Sequence, residues 1–170
     1  PDAFVFKAGR VSENIATETF SKAELQEGKQ VATSYPYLTC ELGGGMMTAY
    51  HRRVNIYPKD ALALAICKVG SGSNLPGYYM YHGGTNPAPG MAECQASPVT
   101  NYNDLPQMSY DFQSPIGEVG QIHDSYHWTR RFHLFLHDFG PILRDMDPVF
   151  PATNCEDGRI DSTLRYAVRT

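Results

Sequence analysis

The sequence has 170 residues, enough for one domain, and its 42% hydrophobic and 19% charged residues are typical of a globular protein. The formal net charge of −4 argues against nucleic acid or an anionic membrane surface as the main partner. The longest apolar run, in DALALAICKVG, is too short to span a bilayer, so no membrane partner is expected.

The first predicted elements are two strands with a helix between them. The weakly alternating segment AFVFKAGRV predicts a strand over Phe4–Lys7. The segment FSKAELQEGK predicts a short helix whose first turn carries a capping box of Ser21 and Glu24. The segment YPYLTCEL predicts the second strand, Tyr37–Leu42, which runs into three consecutive glycines.

A further helix and strand follow these elements. The segment YPKDALALAICKVGSG predicts a helix, because Pro58 suits its first turn and glycines follow its last apolar residue. The segment LPGYYMYHGG predicts a third strand. The Pro-, Asn- and Gly-rich residues 85–109 predict a long loop, and SYDFQSPIGEVG predicts extended chain with turns.

The clearest predicted helix is DSYHWTRRFHLFLHDFGPIL. Its large apolar side chains follow the helical period: Trp128, Phe132, Phe135, Leu136, Phe139, Ile142 and Leu143. We expect the four aromatic side chains of this set to pack against the sheet. Pro141 should kink the helix or end it early. From Asp145 a polar linker begins, and STLRYAVRT predicts a last strand without a partner.

Strands that alternate with helices predict an α/β fold of parallel strands with helical crossovers. Three strands cannot close a barrel, and their open edges make homo-oligomerisation a further expectation. The chain opens on PDAFVFKAG, without an initial Met and without the regions of a signal peptide. We therefore expect a mature product or a piece of a larger protein that holds the end of one domain and the first residues of another.

A single glutamate, Glu41, lies near the end of the second predicted strand. In parallel α/β folds, functional groups gather at the carboxyl ends of strands, and the third predicted strand carries YMYH at its own end. Burying a charged residue among apolar strand neighbours costs free energy, so Glu41 is a candidate functional residue. From spacing alone, the favoured interpretation is a structural carboxylate paired with Arg52 or Arg53.

Three motifs resemble family 35 of the glycoside hydrolases, the β-galactosidase family. YYMYHGGTNP resembles the family's Y-M-F-H-G-G-T-N segment, and MSYDFQSPIGEVG is similar to its S-Y-D-Y-x-(A/S)-P-(L/I)-x-E-x-G. YPYLTCELGGG stands where the family has its nucleophile strand, and LRYAVRT resembles the start of the β domain after the barrel. The resemblance implies an incomplete (β/α)8 TIM barrel, about strands 6–8, over residues 1–146, then a linker and the first β-domain strand over residues 147–170.

The resemblance also implies roles for individual residues. Glu41 matches the nucleophile of a retaining glycosidase, which attacks the anomeric carbon. Tyr79 matches a tyrosine beside the nucleophile that would orient it. We therefore expect Glu41 at the end of a strand parallel and adjacent to the strand holding Tyr79, with its carboxylate partly buried and within reach of the Tyr79 hydroxyl. Tyr110 matches a tyrosine that lines the galactose pocket. Phe112 replaces the second tyrosine of S-Y-D-Y, which removes one sugar-facing hydroxyl. The ELGGG segment lacks the aromatic residues that usually follow the nucleophile, so the pocket beyond the galactose site is expected to be more open.

The acid/base of the family is a glutamate after an Asn in strand 4, which this chain is not expected to contain. Glu118 matches a different family glutamate, and Glu13 follows Ser rather than Asn. We therefore expect an enzyme part that carries the nucleophile for a terminal β-galactoside or related glycan. The alternatives are a non-catalytic carbohydrate-binding or structural module, and a protein-interaction fragment without a sugar role. Secretion or a periplasmic location is suggested by the resemblance alone.

The four cysteines have no C-x-x-C spacing, so no zinc site is expected. Cys40 and Cys67 lie in apolar segments and are predicted to be buried thiols. Cys94 and Cys155 lie in polar loops and could pair in an oxidising compartment.

Two histidine pairs share the i, i+4 spacing of helical metal ligands. They are His123 with His127 and His133 with His137, and no third ligand accompanies them. Surface histidines are therefore expected, and neither a metal nor another cofactor is predicted.

Overall fold

The structure is a computed structural model that describes residues 4–6, 36–46, 48, 53–86, 108–153, 155, 157–160 and 162–170. Contacts group them into two compact units. One unit holds the described residues up to Thr39 together with Cys67–Pro76 and Ile142–Thr170. The other holds the described residues of Cys40–Ile66 and Gly77–Pro141, which include all three candidate site residues.

The described elements are six strands and two helices. In chain order they are β1 Leu38–Leu42, α1 Asp60–Gly70, β2 Leu75–Tyr78, β3 Gly84–Thr85, β4 Ser109–Tyr110, α2 Asp124–Leu143, β5 Pro148–Val149 and β6 Val168–Arg169. The strands form three pairs, β1 with β2, β3 with β4 and β5 with β6, so the described residues form no closed barrel.

Strands β1 and β2 run parallel and are joined through helix α1. The carbonyl of Tyr37 accepts the N–H of Asn74 at 2.8 Å, and that of Leu42 accepts the N–H of Tyr79 at 2.9 Å. Both partners advance in the same direction along the chain between these two bonds, so the strands run parallel. The prediction of parallel strands with a helical crossover is confirmed for β1, α1 and β2.

The predicted first strand is wrong over its described residues. Phe4 belongs to a short 3₁₀ turn, and Val5 is buried in a bend. The carbonyl of Phe4 accepts a hydrogen bond from the Arg165 guanidinium at 3.3 Å, so a side chain supplies a partner that a neighbouring strand would otherwise provide. The predicted helix over residues 20–29 and the loop over 87–107 lie outside the described residues.

The last predicted strand has a partner, contrary to expectation. Strand β6 pairs antiparallel with β5, and Asp147 and Thr170 exchange two backbone hydrogen bonds of 2.8 and 3.0 Å beside them. Strand β5 was not predicted, because a two-residue strand is too short to show an alternating pattern. Pro141 does not end α2 early either, because the helix continues to Leu143.

Arg169 of β6 joins the ends of the two helices. Its guanidinium donates to the carbonyl of Val69 at 2.7 Å and to that of Leu143 at 2.5 Å. These carbonyls lie in the last turns of α1 and α2, where the helix dipole is negative and cations are stabilising. Burial lowers the pKa of Arg169 and the nearby Asp147 opposes that shift.

Helix α2 buries a narrower face than predicted. Ser125, Thr129 and Phe132 are buried, whereas Phe135 is 43% exposed and Phe139 is 50% exposed. The prediction that the aromatic stripe packs against the sheet is therefore wrong for Phe135 and Phe139. The buried face contains small hydroxyl residues, which let the helix approach its neighbours closely. The prediction considered only large apolar residues and therefore missed this face.

Trp128, the fourth aromatic residue of the predicted stripe, is half-buried among cations. The Lys59 ammonium lies 4.5 Å and the Arg131 guanidinium 5.0 Å from the centre of its ring. The ring therefore makes cation–π contacts to both.

Replacing Phe132 by Ala should cost about 3 kcal/mol or more of unfolding free energy, because its side chain is only 8% exposed. The matched change Phe139→Ala, on the exposed side of the same helix, should cost less than about 1 kcal/mol. Urea unfolding of both variants checks this. Equal losses would contradict the burial pattern of α2.

Tyr78, Tyr81 and His133 form an aromatic cluster. The Tyr78 hydroxyl lies 3.0 Å from His133 Nε2, and the Tyr78 ring meets Tyr81 and His133 at centroid distances of 5.4 and 5.3 Å. Burial, with a smaller contribution from Tyr81, raises the pKa of Tyr78 to about 12. Burial also lowers the pKa of His133, so the cluster favours a neutral imidazole.

Stability should fall as the pH drops below 6.5, the ordinary pKa of histidine. Below that value His133 binds a proton readily in the unfolded chain. In the folded chain it binds the proton only at lower pH, because its pKa is lowered. Acid therefore favours unfolding. His133→Gln should remove this part of the pH dependence, whereas His127→Gln, at an exposed position of the same helix, should leave it unchanged. Urea midpoints at pH 7.5 and 5.5 test this, and equal acid sensitivity in both variants would refute it.

Candidate active site

Glu41 lies near the carboxyl end of β1, beside the strand that leads into Tyr79. The next residue, Leu42, is 3% exposed, whereas Glu41 is exposed. Successive side chains of a strand point to opposite faces, so Glu41 lies on the face opposite Leu42. Glu41 was expected at the end of a strand parallel and adjacent to the strand holding Tyr79. The two strands β1 and β2 are adjacent and parallel, but β2 ends at Tyr78, so Tyr79 follows the strand and does not belong to it.

The predicted partial burial of the Glu41 carboxylate, within reach of the Tyr79 hydroxyl, is wrong in this structure. The residue is exposed, and within the described part of the chain it makes no ion pair, with Arg53 or any other cation. The Tyr79 hydroxyl is hydrogen-bonded to Tyr110 instead. The physical reason is that β1 has a single neighbouring strand among the described residues, so Glu41 stays exposed to water. Water solvates a carboxylate well.

The three glycines after β1 let the chain approach two other segments closely. Gly43 has φ +100°, a conformation that favours glycine. A Cβ on Gly44 would lie 2.3 Å from the carbonyl oxygen of Gln113, and one on Gly45 would lie 2.3 Å from the Tyr79 ring. The Gly45 N–H donates to Tyr79 O at 2.8 Å, and the Gln113 N–H donates to Gly44 O at 2.9 Å. The glycines thus connect the end of β1 to both candidate sugar-binding segments.

The two tyrosines predicted to bind sugar lie together. The hydroxyls of Tyr79 and Tyr110 are hydrogen-bonded, and their rings meet edge to face with centroids 6.2 Å apart. Phe112 packs edge-on against Tyr110 with centroids 4.6 Å apart. The structure therefore brings Tyr79 and Tyr110 into one cluster, with an apolar ring beside it.

Asp111 holds the turn after β4. Its Oδ1 accepts hydrogen bonds from the Ser114 hydroxyl and the Glu118 N–H, each at 3.0 Å. Its Oδ2 lies 3.9 Å from His123 Nε2, whose ring also contacts the Ser114 carbonyl through Nδ1 at 2.6 Å. These bonds help to hold Phe112 at φ +48°, which residues other than glycine rarely adopt. Sequence reasoning missed Asp111, although an Asp three residues before a Ser is a turn signal.

Two cavities border this turn, and Gln113 lines both of them. An open cleft of about 510 Å³ is lined by Thr48, Met108, Ser109, Asp111, Phe112 and Gln113. A smaller cavity of about 190 Å³ is lined by Ile56, Tyr57, Pro58, Ala61, Gln113, His123, Asp124 and Ser125. The Gln113 Oε1 atom is buried and finds no hydrogen-bond donor among the described residues. Sequence reasoning did not single out this glutamine, because nothing local marks it.

The cysteines differ from their predicted states. Cys40 is exposed, contrary to prediction, because it lies on a strand with one described neighbour. Cys67 is buried as predicted, and burial raises the pKa of its thiol. Cys155 is a buried free thiol that donates to Asp157 O at 3.1 Å, so it does not form the disulfide that the sequence left open. Cys94 lies outside the described residues.

The described residues contain no group of three or more His, Cys, Asp or Glu side chains that could hold a metal ion. His123 and His133 contact protein groups instead, the Ser114 carbonyl and the Tyr78 hydroxyl. Neither of the described helices is long and apolar enough to cross a membrane.

Parallel strands joined by a helix are the repeating unit of α/β folds, in which functional groups lie at the carboxyl ends of the strands. The family model described as glycosyl hydrolases family 35 matches residues 4–135. This match covers more than half of the sequence, so the chain belongs to glycosyl hydrolase family 35. The family implies a TIM-barrel-like catalytic domain and carbohydrate substrates, and the resemblance carried by the three motifs is confirmed.

Proposed function

We propose that this chain carries the nucleophile of a retaining β-galactosidase and that the nucleophile is Glu41. The observation that supports this most directly is the position of Glu41 at the end of a strand parallel to the one that leads into Tyr79. A retaining glycosidase attacks the anomeric carbon with one carboxylate, forms a covalent glycosyl-enzyme, and hydrolyses it with help from a second carboxylate.

In this proposal Tyr79 and Tyr110 contact the galactosyl unit. A tyrosine hydroxyl can donate one hydrogen bond and accept others, which suits both side chains to contacts with sugar hydroxyls. Phe112 beside them adds an apolar ring. Sugars are bound by such mixtures of ring faces and hydrogen-bonding groups.

The acid/base, in the same proposal, comes from outside these 170 residues. Residues 1–146 would then supply about strands 6–8 of the barrel, and residues 147–170 the start of a β domain. Glu118 is unsuited to the role, because hydrogen bonds from Ser109 and Thr85, the latter at 2.6 Å, lower its pKa. A general acid in a glycosidase needs the opposite shift.

Covalent trapping tests the proposal. A 2,4-dinitrophenyl 2-deoxy-2-fluoro-β-galactoside has a leaving group that departs without a general acid, so it needs only the nucleophile. We expect mass spectrometry to find one fluorogalactosyl group on the peptide that contains Glu41. Glu41→Gln should abolish the label, and the matched control Glu118→Gln should keep it. No label, or a label on another carboxylate, would refute the assignment.

The 170-residue chain alone should not hydrolyse methyl β-galactoside at a measurable rate. A poor leaving group needs a general acid, which is worth roughly 10²–10⁴-fold in rate. The measurement is galactose release by the chain and by its Glu41→Gln variant. Turnover that Glu41→Gln abolishes would show that a second carboxylate within this chain suffices.

The second candidate is a carbohydrate-binding module without turnover. The exposure of Glu41, together with the absence of any described bond between it and the tyrosine pair, favours this candidate. It predicts galactoside binding without covalent labelling. Labelling at Glu41 excludes it.

A further inference from the structure

Asp111 carries a largely buried carboxylate to which the proposed reaction gives no role. Its side chain is only 20% exposed, and it directly follows Tyr110 in the chain. Burying a carboxylate costs free energy unless hydrogen-bond donors surround it. The segments that supply those donors are therefore the parts of the molecule that Asp111 can hold in place.

The donors to this carboxylate come from the turn after β4. The Ser114 hydroxyl and the Glu118 N–H each lie 3.0 Å from Asp111 Oδ1, and Ser114 is fully buried. On the other side, His123 Nε2 lies 3.9 Å from Oδ2. The carboxylate thus fastens the whole turn to the residue next to Tyr110.

The same carboxylate packs against the segment that follows Tyr79. A Cβ on Gly83 would lie 2.4 Å from Asp111 Oδ1, so a glycine is needed for this close approach. Backbone hydrogen bonds join the segment to the turn: the Ile116 N–H donates to Tyr81 O at 2.9 Å, and the Gly83 N–H donates to Ile116 O at 2.7 Å. Asp111 therefore lies between the turn and the segment that carries Tyr79.

The strand pairing at this point is too short to fix the two tyrosines by itself. Strands β3 and β4 have two residues each, and Gly84 lies opposite Tyr110 in their register. Two-stranded pairings are marginally stable in water even when they are longer. The hydrogen bond between the hydroxyls of Tyr79 and Tyr110 therefore depends on side-chain contacts beside the strands.

We infer that Asp111 is a positioning residue that holds Tyr79 and Tyr110 in hydrogen-bond contact. The functional consequence rests on the proposed function, in which this pair contacts the galactosyl unit. Because Asp111 acts through the two tyrosines, its loss should weaken galactoside binding more than it slows the attack by Glu41.

Fluorine NMR of the 170-residue chain labelled with 3-fluorotyrosine tests the inference, with Tyr79→Phe and Tyr110→Phe to assign the two signals. Asp111→Ala should shift both signals, because the hydroxyls separate. Asp111→Asn keeps an oxygen acceptor at nearly the same place and should retain the parent signals. Asp60→Ala is the matched control, because Asp60 also accepts a backbone N–H, that of Tyr57 at 2.8 Å, and its loss should leave both signals unchanged.

Trapping with the dinitrophenyl fluorogalactoside measures the functional consequence. Asp111→Ala should raise the half-saturating concentration of this reagent about 3- to 10-fold, the worth of one hydrogen bond. The limiting rate of labelling at saturation should stay close to that of the parent chain. Asp111→Asn should restore the half-saturating concentration of the parent.

If Asp111→Ala fails to fold by circular dichroism, Ser114→Ala becomes the deciding variant, because it removes one of the two donors to the carboxylate. Unchanged tyrosine signals in the deciding variant, displaced signals in Asp111→Asn, or equal shifts in Asp60→Ala would overturn the inference. If the parent chain takes no label on Glu41, the proposed function fails, whereas the tyrosine signals still decide the role of Asp111.

Discussion

Glu41→Gln should lower kcat/KM for an aryl β-galactoside by about 10³-fold or more in the catalytically complete polypeptide, a loss of roughly 4 kcal/mol in transition-state stabilisation. The amide keeps the size of the side chain and removes the nucleophile. Because the residue is exposed, the substitution should leave the unfolding free energy within about 0.5 kcal/mol of the parent. Steady-state kinetics and urea unfolding of the same preparation separate the two effects.

A chemical rescue sharpens this test. Glu41→Ala opens space for azide, which can attack the anomeric carbon from the side that the carboxylate occupied. Added azide should restore turnover and yield α-galactosyl azide, because one inverting step replaces two. Glu118→Gln is the control and should change kcat/KM by less than about 3-fold. If kcat/KM falls more in Glu118→Gln than in Glu41→Gln, Glu41 is not the nucleophile.

Gly45→Ala should destabilise the chain by about 3 kcal/mol or more. The added Cβ would lie 2.3 Å from Tyr79 Cδ1 and 2.5 Å from Tyr79 O, distances that no rotamer can relieve. The backbone cannot retreat without losing the hydrogen bond from the Gly45 N–H to Tyr79 O. Urea unfolding measures the loss, and any folded fraction should show weaker labelling of Glu41.

Gly84→Ala is the matched control for this change. A Cβ on Gly84 would have no atom within 4 Å, so its cost should stay below about 1 kcal/mol. If Gly45→Ala and Gly84→Ala destabilise equally, the close contact between the glycine segment and Tyr79 does not form in solution.

The parts of the fold that the sequence predicted are those with a local pattern. The strand with Glu41, the two helices and the segment leading to Tyr79 all carry periodicity or end signals within a few residues. Burial escaped prediction at Glu41, Phe135 and Phe139, because exposure depends on which distant segments cover a face. The partner of the last strand was missed for a related reason, since two residues are too few to display a period.

In the candidate site, too, the residues with a local sequence motif were predicted and a residue defined by its three-dimensional surroundings was not. Glu41, Tyr79 and Tyr110 were found through motifs, and the structure brings the two tyrosines together. Gln113 was not found, because what distinguishes it is a buried side-chain oxygen without a partner among the described residues, beside two cavities, and not its neighbours along the chain. A missing hydrogen-bond donor is a property of three-dimensional surroundings that no linear spacing encodes.

The shared guanidinium of Arg169 has a consequence for how the chain opens locally. Because one side chain holds the last turns of α1 and α2, fraying of either helix end removes a partner that stabilises the other. Amide hydrogens in these two turns should therefore exchange with solvent as one cooperative unit, despite a separation of more than 70 residues along the chain. Arg169, one residue before the end of the sequence, would then control how strongly the amide hydrogens at the ends of α1 and α2 are protected from exchange.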